Sequence, residues 1–205
     1  DNLAETSERI AAATDQTGIG LCLLPVHYEF GGCDGRALTA GQIRFGNDLN
    51  RFKELHGGAV STLSSLPKDT GFGVAPHSLR AVSVENLQSY NALFPTGPIH
   101  MHLAEQLPEV DEVQKQWGAR PVEWALDNME LDARWCLIHC TQMTAQETVN
   151  LAQSGAVAGL CPITESSLGD GTFDAIRWTN SGGAIAVGSD SNVRIALSEE
   201  LRTLD

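Results

Sequence analysis

Four side chains of the kind that bind metals or carry protons each close a short apolar run. His77 ends GFGVAPH (71–77), His102 ends GPIHMH (97–102), His139 ends ARWCLIH (133–139) and Asp190 ends GAIAVGSD (183–190). Each run reads as a buried strand, and a helix-like stretch follows it. Polar groups at the C-terminal tips of several strands are how a parallel barrel builds an active site, because the tips converge at one face. HMHLAEQ (100–106) is the strongest local signal. His100 and His102 alternate on a strand and share a side, and Glu105 lies three residues beyond His102. A ligand-type histidine beside a glutamate meets the needs of metal-assisted hydrolysis, one group to hold an ion and one to move protons. Taken alone, the pair is read equally well as a hydrogen-bonded core histidine and a solvated glutamate. Three His and one Asp on four strand tips are harder to obtain from packing alone.

The remaining candidates are weaker one by one. In GSDS (188–191) Asp190 can bind a metal and accept a proton from attacking water, although Ser-Asp also caps helices. CLIHC (136–140) has two cysteines four apart, but His139 projects to the other face, so a base or electrophile is favoured over a structural zinc site. His77 and Arg80 in PHSLRA can hold a carboxylate, Arg offering a planar fork; the alternative is an arginine on a helix surface. His27 and Tyr28 follow the first strand and are expected to face the pocket. His56 is read as a surface residue.

These groups need elements to position them. Residues 3–15 have helical spacing and GIGLCLLPV (18–26) reads as a strand covered on both faces. Residues 27–69 have no sustained period and read as a long functional excursion with a short helix inside. Strand 71–76 precedes helix 83–94, with Ser83 as N-cap. Strand 98–104 precedes helices 108–118 and 121–129, the first closed by a Gly signal and the second opened by Pro. Strand 134–140 precedes helix 144–155, where Thr144 and Glu147 fit a capping box. Strand 156–162 leads to a polar loop, ITESSLGDGTF. Helix 174–183, strand 184–190 and a helix over 195–204 follow. Six β/α units in alternation imply a parallel sheet with right-handed crossovers.

The 205 residues suffice for one sizeable core, whereas a complete eight-stranded barrel needs about 250. Net charge is −13, which argues against nucleic acid and anionic membrane surfaces as partners. No apolar stretch approaches the ~20 residues of a membrane span. The five cysteines include no CxxC pair; Cys22, Cys136 and Cys161 lie in apolar runs and read as small hydrophobes. A reducing, cytoplasmic setting is expected. The first residues, DNLAETSERIAAAT, lack the pattern of a signal peptide and begin in mid-helix. The chain therefore reads as an internal piece, residues 1–205 forming one partial barrel domain.

At HMHLAEQ, LIHC, CPITESSLGDG and GSDSN the chain resembles the amidohydrolase superfamily, and APHSLRA with CPITESSLGDGTF narrows the likeness to its iminohydrolases of N-formimino-L-glutamate. The likeness runs over nearly the whole length. It implies an incomplete TIM-type α/β barrel whose six strands correspond to strands three to eight. It implies a zinc-dependent deiminase with one zinc per complete site, held by His102 and Asp190. It makes Glu105 the proton shuttle, His139 the group that polarises the attacked centre, and Asp190 a further proton acceptor. His77, Arg80 and Tyr28 would bind the carboxylates of a small dicarboxylate substrate, with residues 162–171 over the site. A homodimer is the expected assembly. The family's HxH pair on the first strand has no counterpart, since His100–His102 sits at the fifth-strand position. The first strands and small β-domain are thus expected to be missing, leaving zinc weak or absent and this piece inactive alone. The competing readings are another deaminase of the superfamily, acting on a purine-like or guanidino substrate, and a non-catalytic partner subunit.

Overall fold

The computed structural model describes residues 2–204. Helix α1 (Glu5–Thr17) leads to strands β1 (Cys22–Leu23) and β2 (Val26–His27), and α2 (Leu49–Thr62) to β3 (Gly71–Phe72) and β4 (Ala75–Pro76). Then come α3 (Val84–Leu93), β5 (Ile99–Leu103), α4 (Leu107–Trp117), α5 (Pro121–Asn128) and β6 (Trp135–His139). The chain ends with α6 (Ala145–Gln153), β7 (Val157–Leu160), α7 (Pro162–Leu168), α8 (Ala175–Asn180), β8 (Ala184–Val187) and α9 (Leu197–Leu204).

Every strand pairing is parallel: β1 with β3, β2 with β4, and β5, β6, β7 and β8 in chain order. Single bridges, Val74 to Ile99 and Ser78 to His102, join the first pairs to β5. The result is six strand positions in sequence order, all with their C-terminal tips at one end. Prolines explain why the early strands are short. The N–H groups of Gly71, Gly73, Ala75 and His77 donate in an unbroken series to the carbonyls of Leu21, Leu23, Pro25 and His27. Pro25 has no N–H to return, which separates β1 from β2. Pro76 likewise leaves the ladder to β5 as two isolated bridges. Among the described residues the sheet does not close; β1–β2 and β8 are open edges, and the architecture is a partial barrel.

One face of the sheet carries Ile99, Met101, Leu103, Trp135, Leu137, Ala158 and Leu160, all buried in one apolar cluster. Helices cover it with Leu87, Tyr90, Val113, Val122, Ala125, Leu151 and Trp178. The other face carries His100, His102, Cys136, Ile138 and Gly159, which pair across the strands. Local signals place the helices. Ser83 accepts the Asn86 N–H at the start of α3, and Thr144 and Glu147 form the reciprocal cap of α6. Gly118 ends α4 in the left-handed conformation, φ 79°.

Five sequence-based expectations are corrected. The excursion holds α2, a full helix of 14 residues, because Asp48 caps it. His56 on α2 is half-buried, its ring against Phe72 (4.9 Å) and Phe94 (5.2 Å). The start of ITESSLGDGTF is α7, with Ile163, Thr164 and Glu165 buried; Pro162 opens it and Gly169 closes it. Cys22 is exposed, because β1 is an edge strand. His27 is fully buried on the helix side, stacked on Phe52 at 4.7 Å, so it turns away from the strand tips.

Two stability predictions follow from this geometry. Gly97, φ 80°, enters β5 with the place of its missing Cβ 2.1 Å from the Phe72 carbonyl oxygen, whereas Gly118 has no heavy atom within 4 Å of that place. Both substitutions to Ala incur the left-handed penalty of about 1 kcal/mol; Gly97→Ala adds a backbone clash and should destabilise by about 3 kcal/mol or more. Equal shifts in urea midpoint for the two variants would show that the close approach is not felt.

Glu29 sets the acid limb. Burial pushes its carboxyl up, but the His27 ring, the Ser83 N–H (2.7 Å) and the Asn86 amide (2.9 Å) outweigh that and bring it down to about 2. A carboxylate depressed in the folded state adds stability above its ordinary value of 4.5, and this stability drains away as pH falls towards 2. Glu29→Gln should therefore flatten the dependence of stability on pH across that window. An unchanged slope in acid titrations followed by circular dichroism would refute the assignment.

Candidate active site

The strand tips share an unusual backbone. The described non-glycine residues with positive φ are Ala104 (51°), His139 (75°), Cys140 (53°), Asp190 (44°) and Asn192 (57°). Ala104 and Cys140 directly follow β5 and β6, His139 is the last residue of β6, and Asp190 and Asn192 lie in the segment after β8. Strain of this kind persists only where surroundings over-determine it, and it clusters at functional sites. It also changes which way the side chains face. Strict alternation would put His139 on the side of Leu137, but Cys140 takes that place in the core, its thiol donating to the Leu137 carbonyl at 3.7 Å. His139 is turned into the tip region instead.

His139 is the hub. Its ring is 1% exposed, with Nε2 3.5 Å from a Glu105 oxygen and 3.9 Å from an Asp190 oxygen. Its Nδ1 lies 3.1 Å from Glu165 Oε1. Burial alone would lower the affinity of the imidazole for protons; the Glu165 hydrogen bond and the charges of Glu105, Glu165 and Asp190 outweigh it and raise the pKa above the usual histidine value. The His102 ring lies 5.7 Å from that of His139, and the His77 ring 4.8 Å from that of His102. Tyr28 meets His77 edge-on at 4.4 Å. The His77 pKa is pushed down to about 3 by burial, then by His102 and Arg80. A neutral His77 can accept or donate one hydrogen bond without repelling its neighbours.

The fold thus brings Tyr28, His77, His102, Glu105, His139 and Asp190 into one row. Tyr28 and His77 line a cavity of about 670 Å³ that also holds Arg44 and Arg51. Arg80 lines a separate cavity of about 240 Å³ beside Cys33 and Trp117, and its buried Nε has no hydrogen-bond partner.

Three supporting residues were missed from sequence. Glu109, fully buried, accepts the N–H groups of Ala104 and Glu105 at 3.0 Å each and so shapes the turn that carries Glu105. Thr164 Oγ1 lies 2.8 Å from Ser191 Oγ and accepts the Ser191 N–H at 3.3 Å, holding the tip after β8. Glu165 belongs to the run after β7. It stands five residues beyond the last strand residue, farther than Glu105 (two) or Asp190 (three) from theirs, so no tip signal marks it.

His102 is held as a metal ligand would be. His102 Nδ1 lies 2.8 Å from the His77 carbonyl and donates to it, which leaves Nε2 with its lone pair free. This is how metal-binding histidines are held by an outer partner. Elsewhere, His139, Cys161 and Glu165 offer donor atoms within 4.8 Å of one another. Burial, then Asp190 and Glu165, push the Cys161 thiol up to about 12, and Glu165 Oε1 already accepts the Cys161 N–H.

Comparison with known proteins agrees with this geometry. The amidohydrolase family model matches residues 4–204. The formimidoylglutamate deiminase of Pseudomonas aeruginosa is 42% identical over 203 residues, 98% of this chain and 44% of its own length. The 5-methylthioadenosine/S-adenosylhomocysteine deaminase of Halobacterium salinarum is 33% identical over 132 residues, 62% of this chain and 31% of its own length. The crystal structure of an amidohydrolase from Brucella melitensis superimposes with a TM-score of 0.95 at 50% identity, covering 99% of this chain and 45% of that one. An adenosine deaminase from Xanthomonas campestris with bound zinc shares the fold, with a TM-score of 0.79 at 22% identity, over 96% of this chain and 43% of its own. The chain spans less than half the length of these relatives, and it belongs to the amidohydrolase family.

Proposed function

We propose that this chain is the greater part of the catalytic barrel of a zinc-dependent deiminase that hydrolyses N-formimino-L-glutamate to N-formyl-L-glutamate and ammonia. One observation carries the reading: a buried imidazole, His139, has Glu105 and Asp190 both within 4 Å of its Nε2. Adding water across a C=N bond and expelling ammonia needs several proton movements at one carbon. A cluster of this composition supplies acceptors and donors in reach of one another. The 42% identity over 98% of the chain to a formimidoylglutamate deiminase supports that substrate.

In this reading His102 and Asp190 would hold zinc, which would lower the pKa of a water molecule to about 7. Glu105 takes and returns protons, and Asp190 takes a second. His139 presents Nε2 to the attacked centre, where it steadies the attacking water by accepting a hydrogen bond. Tyr28 and His77 hold the substrate carboxylates in the cavity they line, and Arg80 is assigned to them from the sequence although it lines a separate cavity; the chain carries a net −13, so the pocket must supply its own cations.

The rival within the family is a ring deaminase, favoured by the methylthioadenosine deaminase relatives. Ammonia release from N-formimino-L-glutamate and from 5′-methylthioadenosine, assayed side by side on catalytically competent protein, separates the two. Preference for the nucleoside would overturn the proposal, and no release from either would favour a non-catalytic subunit.

Three further outcomes are expected. This chain alone should hold zinc weakly, since His102 and Asp190 fall short of the three or four protein ligands of ordinary zinc sites. Elemental analysis showing one zinc per chain, removed only by strong chelators, would contradict that. Glu105→Gln should lower turnover about 10²–10⁴-fold with metal content unchanged; near wild-type turnover would remove Glu105 from the chemistry. Arg80→Met should raise KM for N-formimino-L-glutamate about ten- to a hundredfold, because a charge-assisted hydrogen bond contributes about 1.5–3 kcal/mol. An analogue lacking the carboxylate should escape most of that loss, and equal losses would assign Arg80 to the fold.

A further inference from the structure

We propose that Glu165 is a positioning residue for His139: it fixes the imidazole with Nδ1–H donating to the Glu165 carboxylate, so that Nε2 is the nitrogen presented to Glu105 and Asp190. Its catalytic consequence rests on the deiminase reading above, but the geometry stands apart from it. The Nδ1 to Oε1 distance is 3.1 Å, and the side chains are 1% and 6% exposed. The same Oε1 accepts the Cys161 N–H at 2.8 Å. A carboxylate oxygen can only accept, so the proton of this contact belongs to Nδ1, and the tautomer of a neutral ring is decided.

The carboxylate is itself held. Glu165 lies on α7, and the Glu165 carbonyl accepts the N–H groups of Gly169 and Asp170 at 2.9 and 3.0 Å. The first turn of α7 is tied to α9 by the Ile163 N–H, which donates to Glu200 at 2.9 Å. Glu165 therefore brings the β7 end of the sheet to bear on a ring carried by β6. His139 needs such a restraint, because its backbone (φ 75°) is strained and its ring has left the helix-packed side. Without Glu165 the ring could turn about its last side-chain bond and present Nδ1 or a carbon to the site. The same three groups could be read as an ion site of His139, Cys161 and Glu165. The engagement of Oε1 by the Cys161 N–H argues for a hydrogen-bonded pair instead.

The test is NMR of the chain labelled with 15N-histidine, His139 being assigned from the signals lost in His139→Gln. Wild type should show His139 protonated at Nδ1, with a downfield ring proton that exchanges slowly with water. Glu165→Ala should abolish that proton signal. Glu165→Gln keeps an acceptor oxygen for the Cys161 N–H and should retain Nδ1–H, with the proton moved upfield as the charge is lost. If Glu165→Ala does not fold, Glu165→Gln decides alone, and an unmoved proton overturns the proposal. A wild-type Nδ1 that carries no proton, or a Glu165→Ala spectrum like wild type, also overturns it. So does added zinc that shifts His139 Nδ1 in wild type but not in Cys161→Ser, since that result assigns the cluster to a metal. In catalytically competent protein, Glu165→Ala should lower kcat about 10–100-fold, the range for outer residues that orient site histidines. KM should change little, and Glu165→Gln should recover part of the loss. A raised KM with unchanged kcat contradicts the positioning role. The NMR arm needs no substrate, so failure of the deiminase reading and failure of this proposal are distinguishable.

Discussion

The His139 ring is buried, and three carboxylates approach its two nitrogens. Desolvation of an imidazole and of carboxylates is costly unless each is paired. The surrounding structure is organised to meet that cost. Glu109 holds the Glu105 turn through two backbone N–H groups, and the Cys161 N–H holds Glu165. Thr164 braces the segment that carries Asp190. The supports come from the segments after β5 and β7 and act on side chains carried at the ends of β5, β6 and β8, so the cluster exists only when β5 to β8 are in register.

That register follows from ordinary apolar packing. Seven residues of β5, β6 and β7 bury one face of the sheet beneath helices, which fixes the side of every other residue. His100, His102, Cys136 and Ile138 then fall on the opposite face by alternation. The departures from alternation come only at the tips, where positive φ at Ala104, His139 and Asp190 re-aims single side chains. Packing sets the frame, and local strain sets the aim.

Much of this was legible in the sequence. The polar tips at His102, His139 and Asp190 were visible because each closes an apolar run. The caps at Ser83 and Thr144 and the stop at Gly118 marked helix ends, since those signals are local. What was not legible depended on contacts distant in sequence. His27 reads as a tip residue, yet it stacks on Phe52 and Tyr90, which periodicity cannot foresee. Residues 162–168 read as a loop because their composition is polar, but Glu165 and Thr164 turn inward to bind the tips of β6 and β8. The turn made by His139 and Cys140 was also hidden, because positive φ is uncommon in non-glycine residues and nothing local marks it.

The central claim is that the carboxylates and the imidazole act as one unit on the reacting carbon. A double-mutant cycle between Glu105→Gln and His139→Gln, read as kcat/KM for N-formimino-L-glutamate in catalytically competent protein, tests it most directly. Residues that act together are strongly non-additive, so the double variant should lose little more than the more damaging single one. Losses that multiply, as for independent sites, would contradict the account.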